Sequence, residues 1–191
     1  HAIEQSAHFD CKKVIENLDK FIQSINFFLK EKLISIISIK KKNLNFHCRF
    51  SAKQRIYRYI IFNRSSAPSL DRFRGWHIRK KLNLKIMKLG AKKLEGTNDY
   101  STFRSSSCSA KSPIKTIKSI RVIKKNDKVE IKFQSKSFLQ QQVRSMVGCL
   151  KYLAEGKWDI KKFEKIFKSK KRFLCAPPAP PHGLFLEKVI Y

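Results

Sequence analysis

Apolar residues recur at helical spacing near the start of the chain. Val14, Ile15, Leu18, Phe21, Ile22, Ile25, Phe28 and Leu29 follow i, i+3, i+4, i+7 steps, which predicts an amphipathic helix from Asp10 to about Leu29. LISIISI (33–39) then reads as a short β-rich run, closed by the charged break KKKN. QRIYRYIIF (54–62) alternates with a period of two. Arg55, Tyr57, Tyr59 and Ile61 share one face, and Ile56, Arg58, Ile60 and Phe62 share the other.

A turn-rich stretch (63–81) follows, containing Pro68, Gly75 and Trp76. Leu84, Met87, Ala91 and Leu94 predict a second helix ended by Gly96, and 97–115 reads as an ordered loop or helical turn. TIKSIRVIKK (116–125) and KVEIKFQS (128–135) flank Asn126-Asp127 as a hairpin. Ser137 with Gln140 matches a capping box opening a helix that Gly156 stops, its core face carrying Phe138, Val143, Met146, Val147 and Leu150. A short helix (about 159–168) and CAPPAPPHG lead to a terminal strand, GLFLEKVIY. This order predicts an α+β fold, an antiparallel sheet with helices on one face.

Composition narrows the function classes. Of 191 residues 42% are hydrophobic, with 15 Phe but only 6 Gly and 6 Pro, which is enough apolar material for a packed core and excludes a disordered basic tail. Lys and Arg total 43 against 14 Asp and Glu, a net charge of +29. Such an excess repels itself unless a polyanion neutralises it, so nucleic acid is the natural partner. Abundant Lys, Ile, Asn and Phe also fit AT-rich coding, and charge alone does not separate a tRNA enzyme from a ribosomal protein. Five cysteines without a Cys-x-x-Cys pair, and five scattered histidines, indicate neither a disulfide framework nor a zinc site. Reduced thiols in a cytoplasmic protein are the default, and no apolar run is long enough to span a membrane.

Two places could carry chemistry. The face bearing Arg55, Tyr57 and Tyr59 interleaves rings with cations, which suits stacking of an unpaired base while guanidiniums hold phosphates. The pattern alone favours the plainer reading of the same face, a half-buried strand whose tyrosines pack under a helix. Arg144 stands between Val143 and Met146-Val147, and a guanidinium this close to a core face needs an anion unless the helix rolls it into solvent. No paired carboxylates, Ser-His-Asp set or phosphate-cradling glycine loop is present.

Longer blocks resemble a known family. HAIEQSAHFD (1–10), FHCRFSAKQRIYRYIIFN (46–63), LEGTNDYSTFR (94–104), SFLQQQVRSMVGCL (137–150) and KRFLCAPPAPPHGLFLEKVIY (171–191) are similar, in order, to the motif blocks of the TruA family of tRNA pseudouridine synthases. The resemblance implies the pseudouridine synthase fold, with its first strands preceding His1. It implies that 1–45 are the remainder of an N-terminal half-domain and that 46–191 form the C-terminal half-domain carrying the active-site Tyr and Arg. The implied activity converts uridine to pseudouridine at positions 38 to 40 of the tRNA anticodon stem-loop, in a homodimer without metal or organic cofactor.

The family's nucleophile is the Asp of G-R-T-D-A-G-V-H, which would stand four places before His1. Tyr57 would stack on the flipped uracil and act as base at C5, Phe103 would complete an aromatic wall, and Arg144 would pair with the missing Asp. Arg49, Arg55, Arg58, Arg104 and Lys111 would contact the RNA backbone, although each also fits an exposed cation with no specific role. Departures include QQQVR for the usual H-x-M-V-R, INFFLKEK (25–32) without the family's N-x-x-L-P, and Pro178 where Thr is common. The chain alone is then expected to lack activity. Its alternative reading is an RNA-binding fragment or degenerate copy that holds tRNA and cannot react.

Overall fold

The computed structural model describes residues 1–191. It divides into Ser6–Ser51 and a larger unit made of His1–Gln5 with Ala52–Tyr191.

In Ser6–Ser51 the first helix, α1 (Leu18–Phe28), starts later than the apolar periodicity. Asn17 sets the boundary, because its side chain accepts from the Lys20 N–H at 2.8 Å and so satisfies one of the open donors of the first turn. The predicted strand at 33–39 is not formed. Asn26 accepts from the Ile36 N–H (2.7 Å) and donates to the Ile36 carbonyl (2.9 Å), so one side-chain amide takes both backbone groups that a neighbouring strand would use. No residue of this unit is fully buried.

The larger unit is built on a six-stranded sheet: β1 (Gln54–Phe62), β2 (Trp76–His77), β3 (Gly96–Asp99), β4 (Ile114–Lys125), β5 (Lys128–Ser135) and β6 (Leu184–Ile190). Its order is β2-β1-β5-β4-β3, with β6 also paired to β1. Every ladder is antiparallel except the two-residue pairing of β1 with β2. An isolated parallel bridge at Ala2 lays the first residues along β6, with the Ile3 N–H donating to the Leu186 carbonyl at 2.8 Å.

Register explains the two faces. Tyr57 stands opposite Phe133 and Ile120 lies beyond it, while Tyr59, Ile131 and Val122 form the next row. These rows belong to the buried core together with Met87 and Ala91 of α2 (Leu84–Lys93), Met146, Leu150 and Leu153 of α3 (Gln142–Ala154), and Phe163 of α4 (Ile160–Lys168). On the opposite face the matching rows are Arg58–Lys132–Arg121 and Ile60–Glu130–Ile123. The α+β architecture with helices on the apolar face of the sheet is therefore as the pattern predicts.

Local signals succeed where a backbone need is met by one residue. Asn126 turns the β4–β5 hairpin at a φ of 54°, Gly156 follows α3 at a φ of 76°, and Asp159 caps α4 by accepting from the Lys162 N–H. The capping box does not form. Gln141, at a φ of 61°, precedes α3 without a side-chain cap, and the Ser137 N–H is already directed at Ser135 Oγ (3.3 Å). Gln142 closes this turn instead, its Oε1 accepting from the Leu139 N–H at 2.7 Å. β3 was hidden because GTND has no apolar alternation; its pairing with β4 is helped by a Thr97–Thr116 hydroxyl contact at 2.8 Å. No helix is long and apolar enough to cross a membrane.

Candidate active site

A cleft of about 530 Å³ opens in the larger unit, lined by His1, Ala2, Gln5, Tyr57, Arg144, Pro181, Leu184 and Leu186. Tyr57 enters from the middle of β1, flanked by Phe133 on β5 and Leu186 on β6. Having strands on both sides fixes its backbone. Phe138 meets its ring edge-on, with centroids 5.4 Å apart and planes at 85°. Burial pushes the Tyr57 phenol above its ordinary range, and the charge of Arg55 works against that shift.

Arg144 comes from the first turn of α3 and is half-buried. Its Nε donates to the Ala179 carbonyl at 2.7 Å, and the Ala179 N–H donates back to the Arg144 carbonyl at 2.9 Å. This reciprocal pair straps residues 175–181 across α3. The strap is held on the sheet side by Tyr59, whose hydroxyl donates to the Pro180 carbonyl at 2.8 Å. Its close approach requires Gly148, where a Cβ would lie 2.1 Å from the Pro177 carbonyl oxygen. No Asp or Glu forms an ion pair with Arg144. A guanidinium oriented by its Nε, without a carboxylate of its own, and facing a cleft is prepared for an incoming anion.

The structure brings Tyr57 and Arg144 together and disperses the rest. Phe103 is 1% exposed and stacks on Tyr100 and Phe167 in the core, so it forms no wall of the cleft. Arg55 donates to the Lys136 carbonyl. Arg58 lies on the other sheet face between Glu130 (3.6 Å) and Glu187 (3.7 Å). Arg104 clamps its own loop by donating to the Cys108 and Ala110 carbonyls, each at 2.7 Å. Lys111 is exposed just before β4, and Arg49 sits over the Phe50 ring in the Ser6–Ser51 unit. Sequence reasoning missed the apolar floor of Leu184 and Leu186, although their period of two in GLFLEKVIY carried the signal.

Within Ser6–Ser51 the donor atoms of His8, His47 and Cys48 come within 4.8 Å of one another, a set chemically suited to zinc that linear spacing concealed. Internal hydrogen bonds occupy it. His47 Nδ1 accepts from the Arg49 N–H at 3.1 Å, and His8 Nδ1 faces Cys48 Sγ at 3.3 Å. We assign no metal to it.

Comparison with known proteins gives a consistent picture. A family described as tRNA pseudouridine synthase matches residues 91–191. The tRNA pseudouridine synthase A of Pelagibacter ubique is 70% identical over 191 residues, covering the whole of this chain and 78% of the relative. The proteins of the same name from Parvibaculum lavamentivorans (39%) and Maricaulis maris (37%) also align with the whole chain, over 77% and 76% of their lengths. On both the family match and these identities, the chain belongs to the tRNA pseudouridine synthase family, which is a family of isomerases.

Proposed function

We propose that this protein is a tRNA pseudouridine synthase acting at positions 38 to 40 of the anticodon stem-loop, and that Tyr57 and Arg144 are the two parts of its uracil site that this chain carries. The observation behind the reading is the one cleft shared by a half-buried phenol and an arginine without a carboxylate partner. Segment 1–5 lines the same cleft and is fixed to β6, with the Leu186 N–H donating to the His1 carbonyl at 3.1 Å. The family's Asp, four places before His1, would therefore approach along the cleft wall.

In that arrangement the carboxylate attacks the nucleoside and the N1–C1′ glycosidic bond breaks. The freed uracil anion turns against the Tyr57 ring, C5 bonds to C1′ as the carboxylate leaves it, the C5 proton passes to the Tyr57 phenolate, and N1 takes up a proton in exchange. Arg144 holds the carboxylate and keeps the pocket open, while the apolar side chains of Leu184, Leu186 and Pro181 limit water during the interval when uracil is detached. The chemistry uses no metal. The protein works in the cytoplasm as a homodimer, with 1–45 and 46–191 belonging to its two half-domains. Its net charge of +29 supports RNA binding, and Arg49, Arg55 and Lys111 are the cations assigned to the tRNA backbone.

Two measurements test this reading. The full-length protein should place pseudouridine at one or more of positions 38 to 40 in unmodified tRNA; modification confined to other positions contradicts the substrate assignment. The 191-residue chain alone should release no tritium from C5-labelled uridine in tRNA. Release by this chain would show that the nucleophile lies within it.

A further inference from the structure

Where the strap starts across α3, Cys149 Sγ and Cys175 Sγ stand 3.4 Å apart. Cys149 is buried on α3, and Cys175 is half-buried at the start of the strap. Arg172 anchors that start by donating from Nη1 to Ser145 Oγ at 3.0 Å. We propose that Cys149 and Cys175 form a thiol–disulfide exchange site for small disulfides such as glutathione disulfide, and that its oxidation reaches the active site through the strap.

The two sulfurs divide the work. The hydrogen bond from Cys149, aided by the charge of Arg172, draws the Cys175 thiol below its ordinary range against the effect of burial. That same hydrogen bond and burial push Cys149 upward. Cys175 is thus the more readily ionised and partly accessible member, and Cys149 is the enclosed one that holds its proton.

Cys175 attacks one sulfur of glutathione disulfide and expels a glutathione thiolate, leaving a mixed disulfide. Cys149 then gives its proton to the released thiolate, attacks Cys175 Sγ and expels the second glutathione. One disulfide is reduced to two thiols, and two protein thiols are oxidised to one disulfide.

Closing the sulfurs from 3.4 Å to a bonded distance near 2.05 Å asks about 1.4 Å of movement from the two side chains together with the strap and the helix that carry them. The strap has little slack, because Gly148 already lies against the Pro177 carbonyl and Ala179 holds both the Nε and the backbone of Arg144. A displacement of about 1 Å at a positioning group can cost on the order of 100-fold in rate. The effect on turnover rests on the role proposed for Arg144; the exchange chemistry does not.

The test incubates the reduced full-length protein with glutathione disulfide, maps the linked peptides by mass spectrometry and follows tritium release. We expect a Cys149–Cys175 link, a fall in kcat of about 10- to 100-fold, recovery on reduction with dithiothreitol, and no fall in Cys175→Ser. Oxidation confined to Cys11, Cys48 or Cys108 overturns the site. A complete Cys149–Cys175 link with unchanged kcat overturns its coupling to Arg144. Failure of the active-site reading is seen separately, as full activity of reduced Arg144→Ala.

Discussion

Helices α1 and α3 carry the same kind of apolar periodicity, yet α1 buries none of its 11 residues while α3 buries ten of its 13. α3 is packed in the core with sheet rows whose inward side chains, Tyr59, Ile131 and Phe133, are fully buried. α1 leaves Phe28 80% exposed. Periodicity therefore reports that a helix forms and which face is apolar; what that face is worth depends on what covers it. The candidate cleft lies in the unit where the covering is nearly complete. Arg144 is tied to Ala179 on a helix most of whose other residues are buried.

That contrast can be broken by substitution, and the effects should fall in order. Leu150→Ala removes a fully buried side chain from α3 and should cost about 2–5 kcal/mol in denaturant unfolding. Gly148→Ala drives a methyl into the Pro177 carbonyl and should cost about 1–3 kcal/mol, lowering kcat as well because the strap carries the partner of Arg144. Phe28→Ala, on the uncovered face of α1, should change stability by less than about 0.5 kcal/mol. A large effect at Phe28 would mean that α1 is covered in solution.

The cleft makes a pH prediction of definite sign. Burial raises the Tyr57 phenol above its ordinary value, so the phenolate is the minor form at neutral pH and grows with pH. If that phenolate takes the C5 proton, kcat should rise about tenfold per unit between pH 7 and pH 9. The slope should vanish in Tyr57→Phe along with most of the activity.

Much of this was legible in the chain because single residues settle local questions. Asn126-Asp127 turns the hairpin, Gly156 ends α3, and alternation across QRIYRYIIF placed Tyr57 and Tyr59 on the helix-covered face. Tyr59 is core, as the packed reading of that face has it, while Tyr57 opens to the cleft. The failures share a cause, which is competition from partners distant in sequence or hidden in polar side chains. Asn26 replaced a strand neighbour for Ile36, and Gln142 replaced the capping box. Phe103 matched a motif, but Tyr100 and Phe167 claimed its ring for the core. The partners of Arg58 and Arg104, which are Glu130, Glu187 and loop carbonyls, were likewise not visible in the sequence. Val143 and Met146 put Arg144 near a core face in the sequence, whereas its attachment to Ala179 was not visible there.

The central claim is that Tyr57 and Arg144 act together on one uracil. It is tested most directly by measuring tritium release and tRNA affinity side by side for full-length Tyr57→Phe and Arg144→Ala. The account predicts a loss of kcat of at least about 100-fold in each, with tRNA affinity within a few-fold of the unmodified protein. Retained turnover in either variant, or a loss confined to tRNA binding, would contradict it.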